Sequence, residues 1–251
     1  MKQNQMRYLA VLLLLCLMAC EPSEQKLTAQ EIIDKTILFS GADKVANSKI
    51  TFKFRENSYA AIRKKGIFKL FRTYRKDSLI IKDVLKNNGY ERSINAKLVN
   101  VADSMIAKYR NSINSVHYFS VLPFGLNAAA VNKKLLKSAT LKGKEYYKIE
   151  ITFSKEGGGD DFDDVFIYWI GKEDFLIDYL AYSYHTNGGG KRFRVLKEQC
   201  IKNGIRFVDY HNYKPLNESV SLVDVDQAFE SNGLIKVSEI ILKDIEVALL
   251  D

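Results

Sequence analysis

The chain has 251 residues, 47% of them hydrophobic, and a net charge of +8, which excludes a disordered chain and allows a sizeable core. Its 38 basic residues are spread along the chain and not gathered in one arm. That argues against a nucleic-acid groove and for a general attraction to anionic surfaces.

The N-terminus carries the most specific signal. Lys2 and Arg7 precede an apolar run from Tyr8 to Ala19, "YLAVLLLLCLMA", which is shorter than the ~20 residues of a membrane span and has the form of a secretory leader. The run closes on Leu17-Met18-Ala19-Cys20, which resembles the bacterial lipobox. That resemblance implies cleavage before Cys20 and acylation of its thiol, with residues 1–19 as signal peptide and 20–27 as a lipidated tether. Each buried methylene contributes about 0.8 kcal/mol, so two or more acyl chains anchor firmly. No second apolar span follows, so the body is expected to be held at a membrane in the cell envelope, the outer membrane by expectation, without crossing it. Cys16 leaves with the leader and Cys20 takes the lipid. Cys200 remains as a structural cysteine, with no partner for a disulfide.

Residues 28–251 read as a single domain. Thr28 with Glu31 three residues on forms a capping box for a helix whose apolar stripe runs through Ile32, Ile33 and Ile37, and Gly41 stops it. The period then changes to two: Ile50, Phe52 and Phe54 alternate with Thr51, Lys53 and Arg55, as in a strand with one wet face. Further strands are expected in "IFKLFRTYR", "SLIIKDVLK" and "YERSINAKLV", separated by turns such as Lys65-Gly66. A helical insertion is expected from about Val101 to Phe119, ending before Pro123. Strands resume in "KGKEYYKIEITFSK", "DDVFIYWIGK", "FLIDYLAYSYH", "KRFRVLKEQCI" and "GIRFVDYHNYK". "ESVSLVDVDQAFESNG" reads as a polar connection, and "LIKVSEIILKDIEVALL" as a closing strand segment. Helices between successive strands are missing, so a parallel sheet is excluded. The expected fold is mainly β with an α+β character: one large curved antiparallel sheet, with the opening helix and the central helical insertion covering its concave face.

Three stretches invite a chemical reading. In "SYHTNGGGKRFRV" the glycines Gly188–Gly190 join two strands and are followed by Lys191-Arg192, not by the helix and Lys-Ser/Thr pair of a phosphate loop. They read as a hairpin turn needing positive φ. His185, Asn187, Arg192 and Arg194 at its mouth form a polar group suited to an anionic or hydroxylated ligand head. "EGGGDDFDDVF" places Asp160, Asp161, Asp163 and Asp164 behind a second glycine run. That spacing lacks the alternation of a calcium loop and reads as a solvated hairpin tip. Aromatic residues crowd the second half, and Tyr182 and Trp169, with His117 and Tyr118 on the helical insertion, complete the ligand-binding candidates. The histidines His117, His185 and His211 show no zinc-ligand spacing, no nucleophile elbow is present, and no cofactor or metal is expected.

The wording of "LIDYLAYSYHTNGGGKRFRV", "NGIRFVDYHNYKP", "LPFGLNAAAVNKK", "KGKEYYKIEITF" and "GGGDDFDDVFIYWI" resembles an uncharacterised family of Bacteroidetes lipoproteins. That family is similar in architecture to the lipoprotein-localisation factors LolA and LolB, curved antiparallel half-barrels that hold acyl chains beneath helices. The resemblance implies a LolA-like half-barrel and an amphiphilic or lipid-like ligand in its cavity. Two other readings stay open: an envelope enzyme using His185 and Arg192 on a small substrate, and a scaffold for protein partners. Nucleic acid is not an expected partner, and the oligomeric state is open.

Overall fold

A computed structural model describes residues 26–159, 162–185 and 188–251. The expected leader with Cys16, the expected lipidation site Cys20, and Asp160, Asp161 and Asn187 lie outside the described residues.

Helix α1 (Ala29–Phe39) begins as the capping box demands. The Thr28 hydroxyl accepts the Glu31 N–H at 3.2 Å, and the Glu31 carboxylate accepts the Thr28 N–H at 2.8 Å. Gly41 turns the chain out of the helix at φ 68°, and a Cβ there would lie 1.7 Å from the Gly204 carbonyl oxygen. Only glycine satisfies both conditions. A 3-10 turn (Ala42–Asn47) then leads into the strands.

Strands β1 (Ser48–Phe54), β2 (Asn57–Lys64), β3 (Ile67–Lys76), β4 (Leu79–Lys86), β5 (Gly89–Ile94) and β6 (Lys97–Val99) form an antiparallel meander. Helix α2 (Asp103–Ser120) follows. The second meander contains β7 (Val131–Leu135), β8 (Ala139–Leu141), β9 (Lys144–Phe153), β10 (Val165–Gly171), β11 (Ile177–Tyr184), β12 (Gly190–Lys202) and β13 (Ile205–Pro215). Helix α3 (Val225–Glu230) and strands β14 (Leu234–Ile240) and β15 (Leu242–Leu249) close the chain.

Hydrogen bonding resolves the expected single sheet into two open ones. The first runs β15-β1-β2-β3-β4-β5-β6, and the second β14-β13-β12-β11-β10-β9-β7 with β8 also on β9. Between β14 and β15 only Ile241 interrupts the pairing, so the C-terminal segment passes from the edge of one sheet to the edge of the other. The Leu242 N–H donates to Asp209 Oδ1 at 2.9 Å near that junction.

The two meanders differ in how they are covered. On the first, Ile113 of α2 packs on Ala61, Leu70 and Leu85, and the opposite face is open. The second is covered on both sides. On one face α1 places Ile32 and Ile33 against Ile149, Ile151, Phe166, Tyr168 and Leu180. On the other, Val225 of α3 packs with Leu141, Ile167, Trp169 and Phe193. This is why "VFIYWI" is apolar in both phases of its alternation. The segment around α3, expected as a polar connection, is in fact a cover. Its six-residue helix is too short to show a period, and Val220, Leu222, Val225 and Phe229 carry the contact. Among the described residues no helix is long and apolar enough to cross a membrane.

Strands β2, β7 and β8 are absent from the segments expected above. In β2 the buried phase is Tyr59, Ala61 and Arg63, and an arginine in the inward phase hides the alternation. β8 is three residues long.

Candidate functional site: arginines beneath the central helix

The faces that meet α2 and its trailing loop carry arginines in phases otherwise filled by apolar residues. Arg63 follows Tyr59 and Ala61, Arg72 follows Leu70, and Arg92 follows Tyr90. All reach the helix or its exit: Arg72 Nη1 donates to Ser112 Oγ at 2.7 Å, Arg92 lies 3.6 Å from the centre of the Tyr109 ring, and Arg63 lies 5.4 Å from that of Phe124. On β12, Arg194 lies 3.9 Å from the centre of the Phe119 ring. Arg63, Arg72 and Arg194 are more than nine-tenths buried, and the Arg92 side chain is 10% exposed.

One carboxylate answers two of them. Asp83, fully buried on β4, accepts Arg72 Nη2 at 2.7 Å and Nε at 3.1 Å through Oδ2. Arg92 Nε reaches Oδ1 at 2.7 Å, and the Tyr90 hydroxyl reaches it at 2.5 Å. Burial alone would raise the Asp83 pKa, but the hydrogen bonds from Arg92, Tyr90 and Arg72 outweigh it and hold the carboxyl below its usual range. Arg63 and Arg194 have no carboxylate in ion-pair contact among the described residues. Arg63 Nη1 and Arg194 Nε are buried without an acceptor. Burial draws the Arg63 guanidinium down to about 10, so it remains charged at neutral pH.

The sequence-derived candidates divide between several places. Tyr182, Arg194 and Tyr118 come together. Arg194 Nη2 donates to the Tyr182 hydroxyl at 3.2 Å. Tyr118 and Tyr168 share a hydrogen bond of 2.9 Å, and Phe119, Phe166 and Tyr182 stack around them. Burial pushes the Tyr118 phenol up to about 12, so it stays neutral. His117, one residue away, turns toward the first sheet. Its Nε2–H donates to the Phe71 carbonyl at 3.0 Å, the imidazole meets the stacked Phe52 and Tyr59 rings edge-on, and burial lowers its pKa to about 3.

Trp169 faces away from this group. It is buried on the opposite face of β10 beneath α3, where Asp226 Oδ2 accepts its indole N–H at 3.0 Å and the Lys148 ammonium at 2.8 Å. Arg192 donates to the Lys191 carbonyl and lies over the Tyr184 ring, while exposed His185 faces Asp163 and Asp164. The structure therefore gives His185 and Arg192 different neighbours. Gly188 and Gly189 take φ of 89° and 75° between β11 and β12, as a turn requires. Cys200 is half-buried, and burial raises its thiol pKa, which disfavours the reactive thiolate.

Sequence reasoning overlooked Arg63, Arg72, Asp83 and Arg92. A signal was available: a charged residue standing in the apolar phase of an alternating strand is either buried or breaks the strand.

A family model for a family of unknown function, DUF6503, matches residues 8–241. The chain belongs to the DUF6503 family. This DUF6503 chain is similar in fold to a LolA-superfamily protein of Nitrosomonas europaea, at 11% identity and a TM-score of 0.50, covering 90% of this chain and 96% of that one. A DUF1329 protein of Desulfovibrio piger matches at 9% identity and 0.45, over 88% and 93%. A putative outer membrane lipoprotein-sorting domain of Vibrio parahaemolyticus matches at 7% identity and 0.43, over 87% and 93%. At these identities the likeness concerns fold, and it rests on the first of the three. No curated protein matches. The DUF6503 chain thus has a LolA-like arrangement of open antiparallel sheets with helices against them.

Proposed function

We propose that this DUF6503 protein is an envelope lipoprotein, anchored through Cys20, that binds an anionic amphiphile between α2 and the sheets. The observation that carries the reading is the pair of buried guanidinium groups at Arg63 and Arg194, each with one nitrogen that meets no acceptor and neither in ion-pair contact with a carboxylate among the described residues. An ion buried without a partner costs several kcal/mol, and a guanidinium offers a planar fork of donors matched to carboxylate or phosphate. Around Arg194 the rings of Phe119, Tyr182 and Tyr118 supply an apolar wall with hydroxyls at its edge. An amphiphile with an anionic head meets both requirements. Beneath α2, Ile113 packs on Ala61, Leu70 and Leu85, and Tyr118 and Phe119 pack on Phe166, so the apolar tail must replace contacts that α2 makes. Of its 18 residues the helix buries only Ile113, His117 and Ser120, which makes displacement a local event. The LolA-like fold is consistent with this use.

Native mass spectrometry of the full chain taken from membranes should show a co-purified anionic lipid. Arg194→Met and Arg63→Met should each weaken binding of a fluorescent fatty acid at least about tenfold, as loss of a charge-assisted bond worth ~1.5–3 kcal/mol requires. Cys20→Ser should move the protein to the soluble fraction. The reading fails if no lipid is carried and fatty-acid binding is absent, or if both methionine variants bind as the wild type does.

A further inference from the structure

Asp163 and Asp164, behind the first triple-glycine stretch, and His185, ahead of the second, stand 22 and 21 positions apart in the chain and converge in space. Asp163 and Asp164 precede β10, and His185 follows β11. These strands are antiparallel neighbours with Val165 opposite Ser183, so the register sets the three residues at one end of the sheet. His185 Nδ1 lies 3.4 Å from Asp163 Oδ2 and 3.9 Å from Asp164 Oδ1. One donor atom from each of the three lies within 4.8 Å of the others.

These separations are longer than the 2.7–3.2 Å of an N–H···O hydrogen bond. They are close to the spacing of ligands around a shared ion. Metal–ligand bonds of about 2.0–2.2 Å in a tetrahedron set ligand atoms roughly 3.3–3.5 Å apart. The donor set also has a chemical preference. One imidazole with two carboxylates suits zinc and its first-row neighbours, whereas calcium takes six to eight oxygens. His185 and Asp163 are more than half exposed, and the Asp164 side chain is 15% exposed, so an ion from solvent can reach the group while one ligand is held by its surroundings.

We propose that Asp163, Asp164 and His185 form a zinc-class divalent metal site with three protein ligands and an open coordination position. The site is separate from the arginines beneath α2 and does not depend on the amphiphile reading. Its ligands come from both hairpins, so a bound ion would clip the β9–β10 connection to the end of β11.

The test is titration of the untagged, EDTA-stripped full chain with zinc chloride, followed by calorimetry, and with cobalt chloride, followed by its visible d–d absorption. The expected result is one equivalent of zinc per chain and a cobalt spectrum displaced by zinc. His185→Ala should weaken zinc binding at least tenfold and remove the cobalt absorption, with thermal unfolding of the metal-free protein unchanged. His211→Ala, which alters a histidine beside Glu239 on β13, should leave both intact. Absence of saturable uptake overturns the proposal, as does uptake that survives both His185→Ala and the double variant Asp163→Asn/Asp164→Asn.

Discussion

The same side chain is handled in two ways within this protein. In the first sheet, Arg72 and Arg92 share Asp83, and Tyr90 and Ser112 complete the network. In the second, Arg194 has aromatic faces and one tyrosine hydroxyl, and its Nε meets no acceptor. Both arginines of the first set serve the fold, because each buried charge has a built partner. Arg194, like Arg63 of the first sheet, adds an ion to the interior without the carboxylate partner that would offset its desolvation. A polar group that the fold does not need points to something outside the fold. That contrast, more than the fold likeness, is what favours an anionic ligand.

The contrast can be tested directly. The largest effect is expected at Asp83. Asp83→Ala leaves Arg72 and Arg92 buried and unanswered, and should destabilise the protein by about 3–5 kcal/mol, read from urea unfolding. A loss below about 1 kcal/mol would mean that the network is not what secures α2.

His117 tests a third way of burying a polar group, as a neutral one. Its folded pKa is lowered to about 3 by burial, while the unfolded imidazole titrates near 6.5. Below about pH 6.5 the unfolded chain therefore takes up a proton that the native state refuses, and stability falls as pH falls. The expected loss between pH 7 and pH 5 is roughly 2 kcal/mol from this group. His117→Gln should flatten the pH dependence over that interval by the same amount. An unchanged slope would place the ring in contact with water.

The smallest effect is expected at Arg194. Arg194→Met keeps the volume and removes the unanswered charge, so the ligand-free protein should unfold within about 1 kcal/mol of the wild type, or be more stable, even as amphiphile binding is lost. Destabilisation comparable to Asp83→Ala would place Arg194 among the structural arginines and remove the basis for the contrast.

Much of the fold was legible along the chain because its elements announce themselves locally. The Thr28–Glu31 box, the alternation of Ile50, Phe52 and Phe54, the glycine turn at 188–190 and the two-sided apolar run of β10 all depend on near neighbours. The candidate site was half legible. Tyr118, Tyr182 and Arg194 were singled out and do meet. Trp169 belonged to the same aromatic crowd but lies one residue out of phase with Tyr168 and so faces α3. Composition cannot make that distinction; the side of the sheet that each cover occupies does.

The sequence by itself determined most of the strands, the turns and the antiparallel class, since backbone conformation and side-chain period are set within a few residues. The proposed leader and lipobox likewise rest on a contiguous run. Only the tertiary structure decided that two sheets meet at Ile241, that α3 is a cover, which arginines share Asp83, and that His185 stands beside Asp163 and Asp164. Those outcomes join residues distant in the chain, and their energies depend on which charges are buried together, a quantity that exists only once the chain has folded.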